Sequence, residues 1–84
     1  MDNEQARIDL FIQIQAKIAD RYNINDEDID IETYLPDRIP YWIEVDCLVF
    51  SEQLSEELKL PLPPEGEVIF WRSPKDIINS YIPL

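Results

Sequence analysis

Eighty-four residues suffice for one compact domain with a modest core, and such a chain buries about 60 to 65% of its unfolded surface. Eighteen acidic residues stand against seven basic ones, which gives a net charge of −11 at neutral pH. This charge repels nucleic acid phosphates and anionic lipid heads, so the expected partner is a basic protein surface. The alternative is that the acidity only keeps the protein soluble.

The apolar segments are short and scattered along the chain. The longest, Cys47–Phe50 and Val68–Trp71, are far too short to span a bilayer. The amino terminus is polar and acidic from Asp2 to Gln5, whereas a signal peptide begins with basic and then apolar residues. We therefore expect a single domain over residues 1–84 that is cytoplasmic and monomeric and contacts neither membrane nor nucleic acid.

The first element is predicted to be a helix over residues 5–22. Its apolar residues recur mostly at steps of three and four, and they are Ile8, Phe11, Ile12, Ile14, Ile18 and Tyr22. A long acidic loop follows, in which Ile24 and Ile29 are expected to hold the backbone against the core.

The second helix is predicted over residues 40–59, with a start anywhere from Ile39 to Glu44. Asp37 is placed to cap this helix, and Pro40 is acceptable in its first turn. The residues expected to face inward are Val45, Leu48, Val49, Leu54 and Leu58. Those expected to face outward are Glu44, Asp46, Glu52, Glu56 and Glu57. This pattern indicates an amphipathic helix with an acidic outer side.

The prolines from Pro61 to Pro64 end the second helix, because each removes a backbone donor. Residues 65–72 could form a short helix or a strand by periodicity alone, and we favour a short helix or turn. Ser73, Pro74 and Asp76 predict a capped start for a last helix over residues 74–82.

No catalytic residue is predicted, so the chain is not expected to be an enzyme. Without histidine there is no serine–histidine or cysteine–histidine pair, and the acids lie in open positions where no burial would raise a pKa. No metal or cofactor is expected either. The single cysteine, Cys47, is expected in the core, and the acidic loop has Asp30 where a calcium-binding EF-hand loop requires glycine.

Three segments resemble the acyl carrier proteins. Ile14 through Ile29 resembles the first helix and following turn of that family, and Val45 through Pro63 is similar to its second helix. Ser73 through Ile82 is similar to its final helix, which begins at a capping hydroxyl and ends in tyrosine–isoleucine. The resemblance implies an all-α fold, a four-helix bundle with a long loop between helices 1 and 2 and a short or irregular third helix.

The chain departs from this family at the motif that carries the phosphopantetheine arm. The attachment serine should open the second helix, but that position is Glu44 when counted from the end of the helix and Ile43 when counted from helix 1. Neither residue has a hydroxyl, so we expect no phosphopantetheine. The glycine that usually precedes the serine is also absent, and Pro40, Tyr41 and Trp42 stand in its place.

The resemblance further implies an acidic docking side on the second helix. Asp46, Glu56 and Glu57 match positions where carrier proteins present carboxylates to basic enzymes, and the equally open alternative is an ordinary solvated helix side. Glu44 at the start of the helix is included among the candidate contacts. Tyr41 and Trp42 are either core or loop residues or exposed aromatic contacts for a partner.

The sequence thus predicts an acyl-carrier-like interaction module without a prosthetic group that docks on a basic protein. One alternative is a working carrier modified at an unusual hydroxyl, for which the second helix offers only Ser51 and Ser55. Another is an acidic mimic of nucleic acid that blocks a DNA- or RNA-binding protein.

Overall fold

The computed structural model describes residues 3–40 and 42–83. These residues form helices joined by turns and loops, and they contain no strand. In chain order the helices are α1 (Asn3–Tyr22), a 3-10 turn (Asp26–Asp28), α2 (Leu35–Arg38), α3 (Glu44–Leu58), α4 (Glu65–Val68) and α5 (Pro74–Tyr81). The all-α prediction is therefore confirmed for the described residues. None of these helices is both long and apolar enough to cross a membrane.

Helix α1 buries one narrow side, formed by Leu10, Ile14 and Ile18. It ends at Tyr22, as predicted, where Asn23 adopts a left-handed conformation with φ of 56°. Two residues of its apolar pattern, Ile8 and Ile12, remain 46% and 54% exposed. The apolar part of α1 is therefore wider than the side that the core covers.

The segment between α1 and α3 is fastened to the core by aliphatic side chains. Ile29 is buried and Ile24 packs against the core, as predicted for both. The sequence did not predict α2, whose first turn contains Pro36 and which buries Leu35. Because Asp37 lies inside α2, it does not cap the next long helix, and that part of the prediction is wrong.

Helix α3 begins at Glu44, four residues after the predicted start at Pro40 and at the limit of the expected range. The helix cannot begin earlier because the backbone at Ile43 is extended, with φ of −118° and ψ of 177°. The preceding residue, Trp42, has its indole in the core. The helix ends at Leu58, where Lys59 takes a left-handed conformation with φ of 56°.

The buried side of α3 differs from the predicted one. It consists of Cys47, Phe50, Ser51, Leu54 and Ser55, and the predicted burial of Cys47 and Leu54 is confirmed. Val45 was predicted to face inward but is 62% exposed. The reason is that the large Phe50 side chain is buried, and that the hydroxyls of Ser51 and Ser55 have hydrogen-bond partners within the protein. The side of α3 that carries these three residues faces the core, and Val45 lies on the opposite side.

The carboxyl-terminal part closes the fold onto α1. Residues 65–68 form a short helix, as favoured, and Ser73 caps α5 by accepting a hydrogen bond from the Asp76 backbone N–H at 3.3 Å. The Arg7 side chain in α1 donates to Asn79 Oδ1 of α5 at 2.8 Å and to the Ile82 carbonyl.

Candidate protein-docking site

The exposed side of α3 carries both acidic and apolar residues. At 100° per residue, Val45, Val49, Glu52 and Glu56 fall within an arc of about 60° that points away from the buried side chains. Val45 and the two glutamates are exposed, and Val49 is half-buried. We call these four residues the α3 face.

The four predicted acids do not lie together. Glu56 belongs to the α3 face, whereas Glu57 lies on the flank towards α1 and forms an ion pair with Lys17. Asp46 is half-buried on that same flank. Glu44 lies in the first turn, about 18 Å along the axis from Glu56 at 1.5 Å per residue. Glu52 is thus the acid that accompanies Glu56, one turn away.

The start of α3 is open to solvent and has no side-chain cap. Ile43 occupies the N-cap position but has no side-chain group that could accept a hydrogen bond, and Glu44 follows in the first turn. Trp42, Ile43, Glu44, Val45 and Arg72 line a shallow depression there. Neither residue at the helix start carries a hydroxyl. A carboxylate in the first turn interacts favourably with the unpaired backbone N–H groups of this helix end.

Of the two aromatic candidates, Trp42 is a core residue. It is 4% exposed, its indole N–H donates to the Trp71 carbonyl at 2.7 Å, and its ring meets Tyr22 and Phe50 edge to face. The structure therefore supports the core alternative and corrects the assignment of Trp42 as a partner contact. Tyr41 lies outside the described residues.

The serines that could replace the missing attachment site are both buried. The Ser51 hydroxyl donates to the Leu48 carbonyl at 2.7 Å, and the Ser55 hydroxyl is 2.6 Å from the Tyr81 hydroxyl. Burial raises the pKa of Tyr81, and the hydrogen bond with Ser55 partly opposes this shift. Modification of either serine would require α3 to open locally.

The sequence missed the apolar part of this site. Ile43 and Val45 are 58% and 62% exposed at the start of α3, although Val45 had been assigned to the core. A pattern centred on Cys47, Phe50 and Leu54, which recur at steps of three and four, would have placed Val45 outside. Serines at positions 51 and 55 concealed that pattern, because hydroxyls are usually exposed.

Comparisons with known proteins identify no relative. No protein-family model matches the chain, and no curated protein or solved structure is significantly similar to it. Within residues 3–40 and 42–83, no group of three acidic, cysteine or histidine side chains could hold a metal ion.

Proposed function

We propose that this protein is a non-catalytic interaction module of acyl-carrier-like design that docks on a basic protein through α3 and carries no phosphopantetheine. The observation that carries the proposal is the α3 face, where Glu52 and Glu56 share one side of the helix with the exposed Val45. Acids next to an exposed apolar side chain suit a partner that has Lys or Arg around an apolar contact.

The net charge supports this assignment through the rate of encounter. A charge of −11 on 84 residues attracts a basic surface from beyond contact distance, and the valines then supply area that is removed from water. Exposed charges alone contribute little affinity, with a typical pair giving about 0.2 to 1 kcal/mol. In this proposal the acids steer the partner and the apolar residues retain it.

The acyl-carrier-like part of the proposal is supported by the order of the long helices and by the short α4 after the proline segment. The chain differs from a working carrier in having Glu44 at the helix start and in the burial of Ser51 and Ser55. In this proposal Glu44 supplies part of the negative charge that a phosphate would bring to that end of the helix.

The alternative of a nucleic acid mimic requires many carboxylates at phosphate-like spacing. On the α3 face only Glu52 and Glu56 are acidic, and Val45 and Val49 occupy the rest. A surface that is half apolar favours a protein partner over a mimic.

The docking surface is tested by replacing Val45 with a photo-crosslinking amino acid and irradiating cells of the native host. We expect capture of a basic protein. Reversal of both acids in Glu52→Lys/Glu56→Lys should weaken binding of that protein about tenfold, because two attractive contacts become repulsive. Glu57 is avoided, since its reversal would place a lysine beside Lys17.

The matched control is Asp20→Lys/Glu65→Lys, which changes the net charge equally at exposed positions outside α3. Equal losses in the two double variants would show that only total charge matters, and the proposed α3 site would be rejected.

The absence of a prosthetic group is tested by the intact mass of protein purified from its native host. The expected mass is that of the unmodified chain, because α3 begins without a hydroxyl. Glu44→Gln should also lower the free energy of unfolding by about 0.3 to 1 kcal/mol, the usual contribution of a first-turn carboxylate. A phosphopantetheine adduct that disappears in Ser51→Ala or Ser55→Ala would establish the alternative of an unusual carrier.

A further inference from the structure

A second exposed apolar surface lies on α1, away from α3. Ile8 and Ile12 are 46% and 54% exposed and stand one turn apart. Phe11, which is half-buried between them, lines a groove whose other wall is the segment Asp30–Thr33. Ile31 on that wall is 41% exposed. Ile8 and Ile12 do not line the groove but lie beside it on α1, and we call Phe11 and Ile31, together with these two neighbours, the α1 groove.

The α1 groove and the α3 face are on different sides of α1. At 100° per residue, Ile8 and Ile12 lie about 140° to 180° around the helix from Lys17. Lys17 faces α3, since it forms the ion pair with Glu57. A molecule bound in the groove would therefore leave the α3 face free.

The groove is held in shape by hydrogen bonds on both walls. The Gln15 side chain in α1 donates to the carbonyls of Asp26 and Ile29 at 2.8 and 2.9 Å. On the other wall, the Ile31 carbonyl accepts from the Lys75 backbone N–H at 2.9 Å, and the Thr33 hydroxyl accepts from the Asp30 N–H at 2.7 Å. A preformed groove loses little conformational freedom when it binds a ligand.

The rim of the groove is strongly acidic. Residues 26–32 contain five carboxylates and no basic residue, and two of these acids, Asp30 and Glu32, line the groove itself. Glu32 has Lys75 at 3.6 Å, but both side chains are largely exposed, so this pair competes only weakly with a ligand cation.

We infer that the α1 groove binds an amphipathic helix rich in lysine or arginine, which places its apolar side on Phe11, Ile12 and Ile31 and its cations on the acidic rim. A second copy of this chain is a poor occupant, because two molecules of net charge −11 would bring acids against acids. This binding site is additional to the proposed α3 docking site and does not depend on it.

The test uses a helical peptide of leucine and lysine with one apolar side, titrated into ¹⁵N-labelled full-length protein. We expect the amide signals of residues 8–12 and 30–33 to shift. A peptide of identical composition but scrambled order has the same charge without an apolar side, and it should bind about tenfold more weakly or not at all. Equal binding of the two peptides would overturn the inference.

Variants separate this groove from α3. Ile12→Ser/Ile31→Ser should weaken peptide binding about tenfold while leaving the fold intact, because both residues are exposed. Val45→Ser on the α3 face should leave peptide binding unchanged. Circular dichroism checks that the variants are folded.

Shifts confined to α3, or equal weakening by Val45→Ser, would place the peptide on the other surface and reject the groove. Dimers in sedimentation that are lost in Ile12→Ser/Ile31→Ser would show that a second copy covers the groove instead.

Discussion

The Trp71 carbonyl joins the start of α3 to the segment that precedes α5. It accepts hydrogen bonds from the Trp42 indole at 2.7 Å, the Cys47 thiol at 3.7 Å and the Arg72 guanidinium at 2.9 Å. Two of these donors lie just before and inside the first turns of α3, so the carbonyl fixes the start of that helix against the segment that precedes α5. The position of the candidate docking site therefore depends on one backbone oxygen.

The buried thiol of Cys47 should make the free energy of unfolding decrease as the pH rises into the alkaline range. Burial raises its pKa from 9.0 to about 11, so the folded state holds this proton more tightly than the unfolded chain. The contribution is fully present below pH 9 and is lost as the pH rises towards 11, with a slope of at most about 1.4 kcal/mol per pH unit. Urea unfolding at several pH values measures this loss.

Cys47→Ala is the control for this prediction. It should remove most of the slope between pH 8.5 and 9.5, where the tyrosines are still largely protonated. Burial also raises the pKa values of Tyr22 and Tyr81, so part of the loss at higher pH should remain in this variant. An unchanged slope between pH 8.5 and 9.5 in Cys47→Ala would assign the effect to other groups.

At this scale the sequence predicted Cys47 correctly, because a lone cysteine among apolar neighbours is usually buried. It left Trp42 open between core and surface. The buried indole of Trp42 donates to the Trp71 carbonyl, 29 residues further along the chain, and a local sequence pattern contains no information about such a partner.

The starts of α5 and α3 differ in a way that allows a paired test. Ser73 caps α5 through its hydroxyl, and the Asp76 carboxylate accepts from the Arg72 N–H at 2.9 Å. Ile43 at the N-cap of α3 has the extended backbone of a cap residue, and its carbonyl accepts from the Cys47 N–H at 3.0 Å, but its side chain has no acceptor group. One helix therefore has a cap to lose and the other has one to gain.

Ser73→Ala should lower the free energy of unfolding by about 1 kcal/mol, and Ile43→Asp should raise it by a similar amount. Thermal or urea unfolding of the two variants measures both changes. Ile43→Val serves as the control, because it keeps an apolar residue at the N-cap and should change stability little. A destabilised Ile43→Asp would mean that the Ile43 side chain makes packing contacts that outweigh a cap.

The sequence located the start of α5 because a cap, a proline and an acid act together within four residues. It placed the start of α3 too early, since Pro40 and Asp37 look equally suitable for a first turn. In the structure they belong to α2 and the turn after it, where burial of Leu35 and Ile39 outweighs the local signal.

Charge acts on the molecule as a whole. Because eighteen acids outnumber seven bases, repulsion between like charges predominates, and this repulsion destabilises the compact state. We expect added sodium chloride, from about 0.02 to 0.5 M, to raise the melting temperature by about 4 to 8 °C, corresponding to roughly 1 kcal/mol. Calorimetry at several salt concentrations measures this increase.

Glu27→Lys/Glu65→Lys provides the comparison. Each reversal changes the charge by two, so the net charge falls from −11 to −7 and the salt-induced increase should be smaller. A decrease in melting temperature with salt would show that the favourable ion pairs, such as Lys17 with Glu57, outweigh the general repulsion.

The acid-rich composition led us to predict a basic partner, which stays a prediction, and it could not locate the surfaces on which one would bind. Those depend on which apolar residues the core leaves uncovered. Ile12 and Val45 were both counted in the apolar patterns of their helices, and both remain exposed because they point away from the buried sides of α1 and α3.

The hydrogen bonds from Arg7 to Asn79 and Ile82 have a consequence for the order of events during synthesis. They join the first helix to the last helix of this sequence, with more than 70 residues between the partners. On the ribosome, α1 emerges early and cannot cover its buried side until residues 74–81 follow. We therefore expect nascent chains to remain susceptible to protease until α5 has left the exit tunnel, and to become resistant in a single step.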